Sequence, residues 1–200
     1  GYKMDTITYE LGNNLYINLT NRCSNDCEFC VRNGKTSYYG NELWLEKEPT
    51  AEEVLAAVPD KNYDQVVFCG FGEPTFRFAV LYEVGKELRA RGYSVRLDTN
   101  GQGNLINGEN IVPDLARAVD FVNVSLNASD RDRYFDLCRP VFGEDAYEEL
   151  IDFAKKCKAA GIATTFSVVD CIGEKEVEKC RAIAKKAGIS LRVREMIEDS

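Results

Sequence analysis

The stretch Leu150-Ile151-Asp152-Phe153-Ala154-Lys155-Lys156-Cys157-Lys158-Ala159-Ala160-Gly161-Ile162-Ala163-Thr164-Thr165-Phe166-Ser167-Val168-Val169 reads as one complete unit of a repeating fold. With Tyr147 just ahead of it, Leu150, Ile151, Ala154 and Cys157 recur at helical spacing and share a face. The helix stops at Gly161, the residue type that tolerates the left-handed backbone of a C-terminal cap. Ile162–Val169 then follows at once as a strand rich in β-branched residues. The same join of helix, glycine and strand recurs at Gly92-Tyr93-Ser94 and at Gly188-Ile189.

Working outward, further strand-like runs are Leu15–Leu19, Gln65–Cys69, Ser94–Leu97, Phe121–Leu126 and Leu191–Val193. Helical patterns lie between them. Thr50-Ala51-Glu52-Glu53 is a capping box ahead of Val54, Leu55 and Val58. Leu81, Val84 and Leu88 mark a second helix, Ile111, Leu115 and Ala118 a third, and Val177, Cys180, Ile183 and Ala184 a last one. Six strands alternating with helices imply right-handed βαβ units and an α/β fold with a mostly parallel sheet. Six units are too few for a closed eight-stranded barrel, so an open, curved (βα)6 sheet or a doubly wound sheet is expected. In either, the loops after the strand C-termini form the functional face. Thr6–Leu11, with Gly12-Asn13 before Leu15, adds a short hairpin. Residues 1–200 are expected to form one domain, with 1–14 as an N-terminal extension and 21–44 as a long loop after the first parallel strand.

The 200 residues are 44% hydrophobic and 29% charged, as in ordinary globular chains. No apolar run of membrane-spanning length occurs and no signal-peptide core opens the chain, so a cytoplasmic protein with no membrane partner is expected. The net charge of −8 gives a polyanion no general attraction, and a nucleic-acid partner is not expected. Eight cysteines stand beside no histidine. That excludes Ser-His and Cys-His dyads and HExxH zinc sites, and leaves catalysis to cysteine, carboxylate, Lys, Tyr or a bound cofactor.

Three of the cysteines sit in Cys23-Ser24-Asn25-Asp26-Cys27-Glu28-Phe29-Cys30, directly after the first parallel strand. Thiolates that close in sequence can hold one metal centre and leave it a ligand short. A structural zinc wants four ligands, and a fourth thiolate could come from Cys69, Cys138 or Cys171; an iron–sulfur cluster is the competing use. After the second parallel strand comes Cys69-Gly70-Phe71-Gly72-Glu73-Pro74-Thr75. Its glycines let backbone approach a ligand closely, their carbonyls can accept from an ammonium group, and Glu73 adds a carboxylate.

Together these segments resemble the radical S-adenosylmethionine (radical SAM) superfamily, and most closely its TatD-associated group, through Asn21–Cys27, Gly70–Thr75 and Asp98-Thr99-Asn100-Gly101. The resemblance implies an open (βα)6 partial TIM barrel. It implies a [4Fe–4S] cluster on Cys23, Cys27 and Cys30, with SAM chelating the remaining iron. It also implies an external electron donor of flavodoxin or ferredoxin type and reductive cleavage of SAM to a 5′-deoxyadenosyl radical. That radical would take hydrogen from a small-molecule or protein substrate. Phe29 matches the aromatic that meets adenine; Gly70, Phe71, Gly72 and Glu73 match the segment that receives the methionine ammonium. Phe71 departs from the glycine of many relatives. Asp98 and Asn100 belong to a segment similar to that of glycyl-radical activating enzymes. Ser125 and Asn127 match ribose- or carboxylate-contacting positions, and Val168 and Met196 adenine-contacting ones. Two alternatives stay open: an activase acting on a partner enzyme, suggested by the Asp98–Gly101 segment, and a non-catalytic zinc or electron-transfer protein.

Of the other cysteines, Cys157 and Cys180 fall on apolar helical stripes and read as core, as does Cys69 at its strand end. Cys138 and Cys171 follow the fourth and fifth parallel strands and are weak candidates for a hydrogen-atom or proton donor lining a substrate chamber. Arg139 beside Cys138 is a candidate for holding a substrate carboxylate or phosphate.

Overall fold

The computed structural model describes residues 5–27, 37–38 and 41–196. β1 (Thr8–Leu11) turns through Gly12, at φ +59°, into β2 (Asn14–Ile17), its antiparallel partner. A separate two-residue pair, β3 (Ser37–Tyr38) and β4 (Asn41–Glu42), follows. Then come α1 (Ala51–Ala56), β5 (Gln65–Phe68), a 3-10 turn over Pro74–Arg77, α2 (Phe78–Ala90), β6 (Val95–Thr99), α3 (Gly103–Asn107) and α4 (Val112–Ala118). β7 (Phe121–Ser125), α5 (Arg131–Cys138), α6 (Ala146–Ala159), β8 (Ala163–Val169), a 3-10 turn over Asp170–Ile172, α7 (Glu174–Ala187) and β9 (Ser190–Arg194) complete the chain.

The main sheet runs β1-β2-β5-β6-β7-β8-β9, and every pairing after the first is parallel. β1 and β9 are its two edges, so the sheet is open, an α/β partial TIM barrel of six parallel strands plus the hairpin strand. The expected capping box is present: Thr50 Oγ1 accepts from Glu53 N, and Glu53 Oε1 from Thr50 N. Gly92, Gly161 and Gly188 all take positive φ after their helices, as the glycine–strand joins require.

Strand alternation splits the sheet chemically. Leu15, Ile17, Val66, Phe68, Val95, Leu97, Val122, Val124, Phe166 and Val168 enter one core with Leu81, Val84, Leu88, Leu115, Leu150, Phe153 and Val177 of the helices. Each such side chain gains roughly 1.5–3 kcal/mol from burial. Helix packing is tight where α2 crosses α4: a Cβ on Gly85 would lie 2.5 Å from Ala118 O. The opposite face of the strands is polar. Arg96 Nη1 donates to Gln65 Oε1 at 2.8 Å, Asn123 Nδ2 to Ser167 Oγ at 3.1 Å, and Thr165 Oγ1 to Asn123 Oδ1 at 3.0 Å. Parallel strands covered on both faces are normally apolar throughout; here these polar side chains lie on the face turned away from the helix-side core. Among the described residues no helix is long and apolar enough to cross a membrane.

Candidate active site

The loop after β2 carries Cys23 and Cys27, both half-buried; Phe29 and Cys30 lie outside the described residues. Its path is set by side chains that bond to backbone. Asn21 pairs with Leu45 at two points, Nδ2 to O at 2.7 Å and N to Oδ1 at 2.9 Å. Glu48 accepts from Thr20 Oγ1 at 2.5 Å and takes Arg22 in a fork, Nε to Oε2 at 2.9 Å and Nη2 to Oε1 at 3.0 Å. Partial burial pulls the Glu48 carboxyl upward, but the bonds from Thr20 and Arg22 outweigh it and hold the group below the ordinary glutamate value.

The turn after β5 packs directly on this loop. Glu73 N donates to Arg22 O at 2.7 Å. A Cβ on Gly72 would meet Thr20 O at 2.3 Å and Arg22 O at 2.6 Å, and one on Gly70 would meet Asn18 Oδ1 at 2.4 Å. The glycines are there because two backbones touch. Phe71 points away, buried with Tyr9 and Leu43 in a small second cluster. The Phe71 ring thus packs into that cluster.

Glu73 is buried and turns its carboxylate inward. Oε2 accepts from Thr75 N at 3.0 Å, Thr75 Oγ1 at 2.5 Å and Thr99 Oγ1 at 2.8 Å, and Oε1 accepts from Asn100 N at 2.7 Å. Burial raises its pKa, and the bonds from Thr75, Asn100 and Thr99 oppose that rise. The carboxylate is thus a strut between the β5 and β6 loops, and what this segment presents outward is backbone. Asn100 is also engaged: Nδ2 donates to Ser24 Oγ at 2.8 Å and Oδ1 accepts from Gln102 N at 3.0 Å. Asp98 forms an ion pair with Arg96, Nε to Oδ1 at 3.1 Å, on the polar face.

A buried amide–phenol network extends the support. Gln102 Nε2 donates to Asn25 Oδ1 at 2.8 Å and to Tyr134 OH at 2.9 Å, and Asn25 Nδ2 donates to the same hydroxyl at 2.9 Å. α5, which no sequence pattern marked, brings Tyr134 here. Its signals are Asp130, whose Oδ1 caps Arg133 N at 2.8 Å, and the Tyr134/Cys138 pair one turn apart. Cys138, the last residue of this helix, is fully buried and lies against the cysteine loop, where Asp26 N donates to its carbonyl oxygen at 2.7 Å. The Cys138 contact, then burial, pushes the Cys27 thiol far above its usual range. Asn127 Nδ2 donates to Cys138 Sγ at 3.4 Å. Arg139 takes a left-handed backbone and pairs with Asp26 at 3.5 Å.

Cys23, Cys27, Gly70–Glu73, Asn100, Asn127 and Cys138 therefore gather where β2, β5, β6 and β7 end; Ser125 is half-buried at the same end of β7. Val168 does not join them: it sits in the helix-side core beside Phe166. Met196 is exposed, and its N donates to Asp170 Oδ1 at 3.0 Å, next to the exposed Cys171 beyond β8. Cys157 and Cys180 are core, and burial pushes each thiol up to about 12. Cys69 corrects the expectation of a core thiol: alternation along β5 sends Val66 and Phe68 to the helices and leaves Cys69 near Asp98 and Arg96, its thiol pushed up to about 12 by burial.

Two half-buried thiols on one loop, with no imidazole in the chain, make a soft donor set suited to an iron–sulfur cluster. Among the described residues no three ligating side chains converge; Cys30, which would complete the triplet, lies outside them.

A family model described as the radical SAM superfamily matches residues 17–187. A probable GTP 3′,8-cyclase from Saccharolobus islandicus (strain Y.N.15.51 / Yellowstone #2) is 30% identical over 186 residues, 88% of this chain and 54% of the relative. One from Thermococcus kodakarensis is 26% identical over 186 residues, 92% of this chain and 56% of the relative. The chain spans about half the length of the curated relatives it matches. Streptococcus suis SuiB bound to S-adenosylmethionine shares the fold at a TM-score of 0.65 and 18% identity, over 90% of this chain and 39% of that one. A radical SAM methyltransferase from Sphaerobacter thermophilus does so at 0.62 and 17%, over 94% and 68%.

Proposed function

The chain belongs to the radical SAM superfamily, enzymes that use a [4Fe–4S] cluster and SAM, and on that premise we propose that Cys23, Cys27 and Cys30 hold the cluster. The turn Gly70–Glu73 then lies beside SAM, within a single domain in which residues 21–44 form the cluster loop. When bound, the two cofactors supply one-electron reductive cleavage of the sulfonium and a 5′-deoxyadenosyl radical that takes hydrogen from the substrate. The observation that carries this reading is the bond from Glu73 N to Arg22 O, at 2.7 Å, with the backbone contact at Gly72. It makes the cysteine loop and the glycine turn one rigid unit.

The chain's own part is positioning. Glu48, Asn21, Asn100 and Gln102 fix the cysteine loop; the glycines leave backbone carbonyls open to an ammonium; Ser125 stands on the polar side. The electron comes from an external donor of flavodoxin or ferredoxin type. The Asp98–Gly101 segment, which suggested an activase, has a role within this chain, since Thr99 and Asn100 hold Glu73 and Ser24. For the substrate, the names of the curated relatives favour a nucleoside triphosphate, and Arg192 and Arg194 on edge strand β9 are candidate phosphate contacts.

The test is anaerobic reconstitution, reduction and addition of SAM. A reduced-cluster EPR signal that shifts with SAM, and release of 5′-deoxyadenosine, are expected. Folded protein that takes up no iron and shows no SAM-dependent shift refutes the reading. GTP added to the same mixture should be consumed, followed by mass spectrometry; unchanged GTP alongside active SAM cleavage rejects the nucleotide substrate alone.

A further inference from the structure

Strand register places on the face turned away from the helices a set of side chains that the cofactor reading does not use. Asp98 on β6 is paired with Asn123 on β7, and Asn123 with Thr165 on β8; further along, Ser167 on β8 is paired with Arg192 on β9, and Val169 with Arg194. Arg96 holds one oxygen of the Asp98 carboxylate, Nε to Oδ1 at 3.1 Å, and Gln65 fixes Arg96 in turn by accepting from Nη1 at 2.8 Å. Oδ1 is buried against Arg96 without a hydrogen bond, whereas Oδ2 is neither buried nor hydrogen-bonded among the described residues. The ion pair therefore orients a carboxylate whose second oxygen stays open as an acceptor.

Arg192 and Arg194 are exposed and form no ion pair among the described residues. Charges on an edge strand can serve only to block pairing with another sheet. Arg194 does more. Cys69 lies four strands from β9, about 19 Å away were the sheet flat. Burial, then Asp98, raise its thiol to about 12, and Arg194 and Arg96 oppose them. The curl of the sheet thus brings the Arg194 guanidinium over the same chamber that Asp98 faces. Between the two ends, the half-buried Thr165 Oγ1 donates to Asn123 Oδ1 at 3.0 Å and keeps its lone pairs for a further hydroxyl.

We propose that this chamber is a two-ended nucleotide site, in which Asp98 accepts from an N–H of the base and Arg192 and Arg194 hold the phosphates. The inference deepens the nucleotide reading above and rests on it. Asp98 and β9 are three strand spacings apart, at most about 14 Å, a span that an extended nucleotide bridges and a free phosphate or a lone base does not. A carboxylate takes only donors and a guanidinium only acceptors, so the ends also fix which way round the ligand lies. In a chain of net charge −8, arginines facing a shared chamber concentrate an anion that the rest of the surface repels.

The experiment is anaerobic equilibrium dialysis of reconstituted, unreduced protein with SAM present, so that no turnover occurs, using GTP, guanosine and inorganic triphosphate as probes. Asp98→Ala should weaken guanosine and GTP by about tenfold or more, the loss of a hydrogen bond to a charged acceptor, while triphosphate binds as well as before or more tightly because a negative charge has gone. Arg192→Ala with Arg194→Ala should weaken GTP and triphosphate by about tenfold or more and leave guanosine unchanged. Equal weakening of all three probes in either variant overturns the proposal, as does guanosine binding that Asp98→Ala does not alter. If Asp98→Ala does not fold, Asp98→Asn decides: guanosine should weaken while triphosphate does not, and the absence of that split overturns the proposal. Wild type that keeps cluster and SAM but binds none of the probes overturns the proposal and leaves the cofactor reading standing. Wild type without a cluster that still shows the split between the two ends supports the site while the cofactor reading fails, and wild type with neither overturns both.

Discussion

Replacing Gly72 with Ala tests the contact on which the site depends. The new methyl would sit 2.3 Å from Thr20 O, 2.6 Å from Arg22 O and 2.8 Å from Thr20 C. All three are backbone atoms of the cysteine loop, so no side chain can swing aside. Relief requires the loop and the turn to separate by about 1 Å, given ordinary carbon–oxygen contacts from about 3.3 Å. That movement breaks the 2.7 Å bond from Glu73 N to Arg22 O. Overpacking costs about 1–3 kcal/mol and the lost bond about 1 kcal/mol more, so a total of about 2–4 kcal/mol is expected. In a domain of this size that lowers Tm by about 5–15 °C. The loop also carries Cys23, one residue beyond Arg22, so iron uptake per folded protein should fall together with the SAM-induced EPR shift. Differential scanning calorimetry of the apo form and iron analysis after reconstitution measure the two effects separately. A variant that melts within about 1 °C of wild type and binds iron and SAM normally would refute the claim that backbone contact makes this glycine necessary.

Gly85→Ala drives a methyl to 2.5 Å from Ala118 O, between α2 and α4. It should cost about 1–3 kcal/mol by denaturant unfolding while iron content per folded molecule stays at the wild-type level. Glu48, whose folded pKa is depressed below 4.5, contributes stability that is present above that value and lost as pH falls through the folded pKa. Urea midpoints of apo wild type and Glu48→Gln should therefore differ most near neutrality and converge below about pH 4.5; a constant gap down to pH 3 rejects the clamp. Cys27→Ala should abolish cluster and SAM cleavage together, whereas Cys157→Ala, in the core behind α6, should leave the cluster intact at a cost of about 1–2 kcal/mol. Loss of cluster in Cys157→Ala would show that this thiol is not merely core.

The order of strands and helices was legible because each element carries its own signal: a capping box at Thr50, apolar stripes at helical spacing, and glycines at three helix ends. The cysteine triplet and the glycine turn were legible for the same reason, since each is a local spacing. What holds them in place is not local. Ser24 meets Asn100, Asn25 meets Gln102 and Tyr134, and Cys27 meets Cys138, pairs that lie far apart in sequence and belong to no repeating pattern. α5 escaped notice because only two of its eight residues, Tyr134 and Cys138, are buried. One turn of spacing is too short to register as amphipathic, and the arginines around it read as a solvated loop. Cys69 was misplaced because a strand end offers no next residue to show which face it takes. The residues that bind cofactor are thus announced by spacing, whereas those that position them are scattered asparagine, glutamine, tyrosine and cysteine side chains. Their identity follows from a buried-polar constraint. A loop that must stay fixed while half-buried needs most of the amides and hydroxyls beneath it paired, and only the fold decides which distant residues do the pairing; the Gln102 amide does so through its nitrogen alone, its Oε1 being buried without a partner among the described residues.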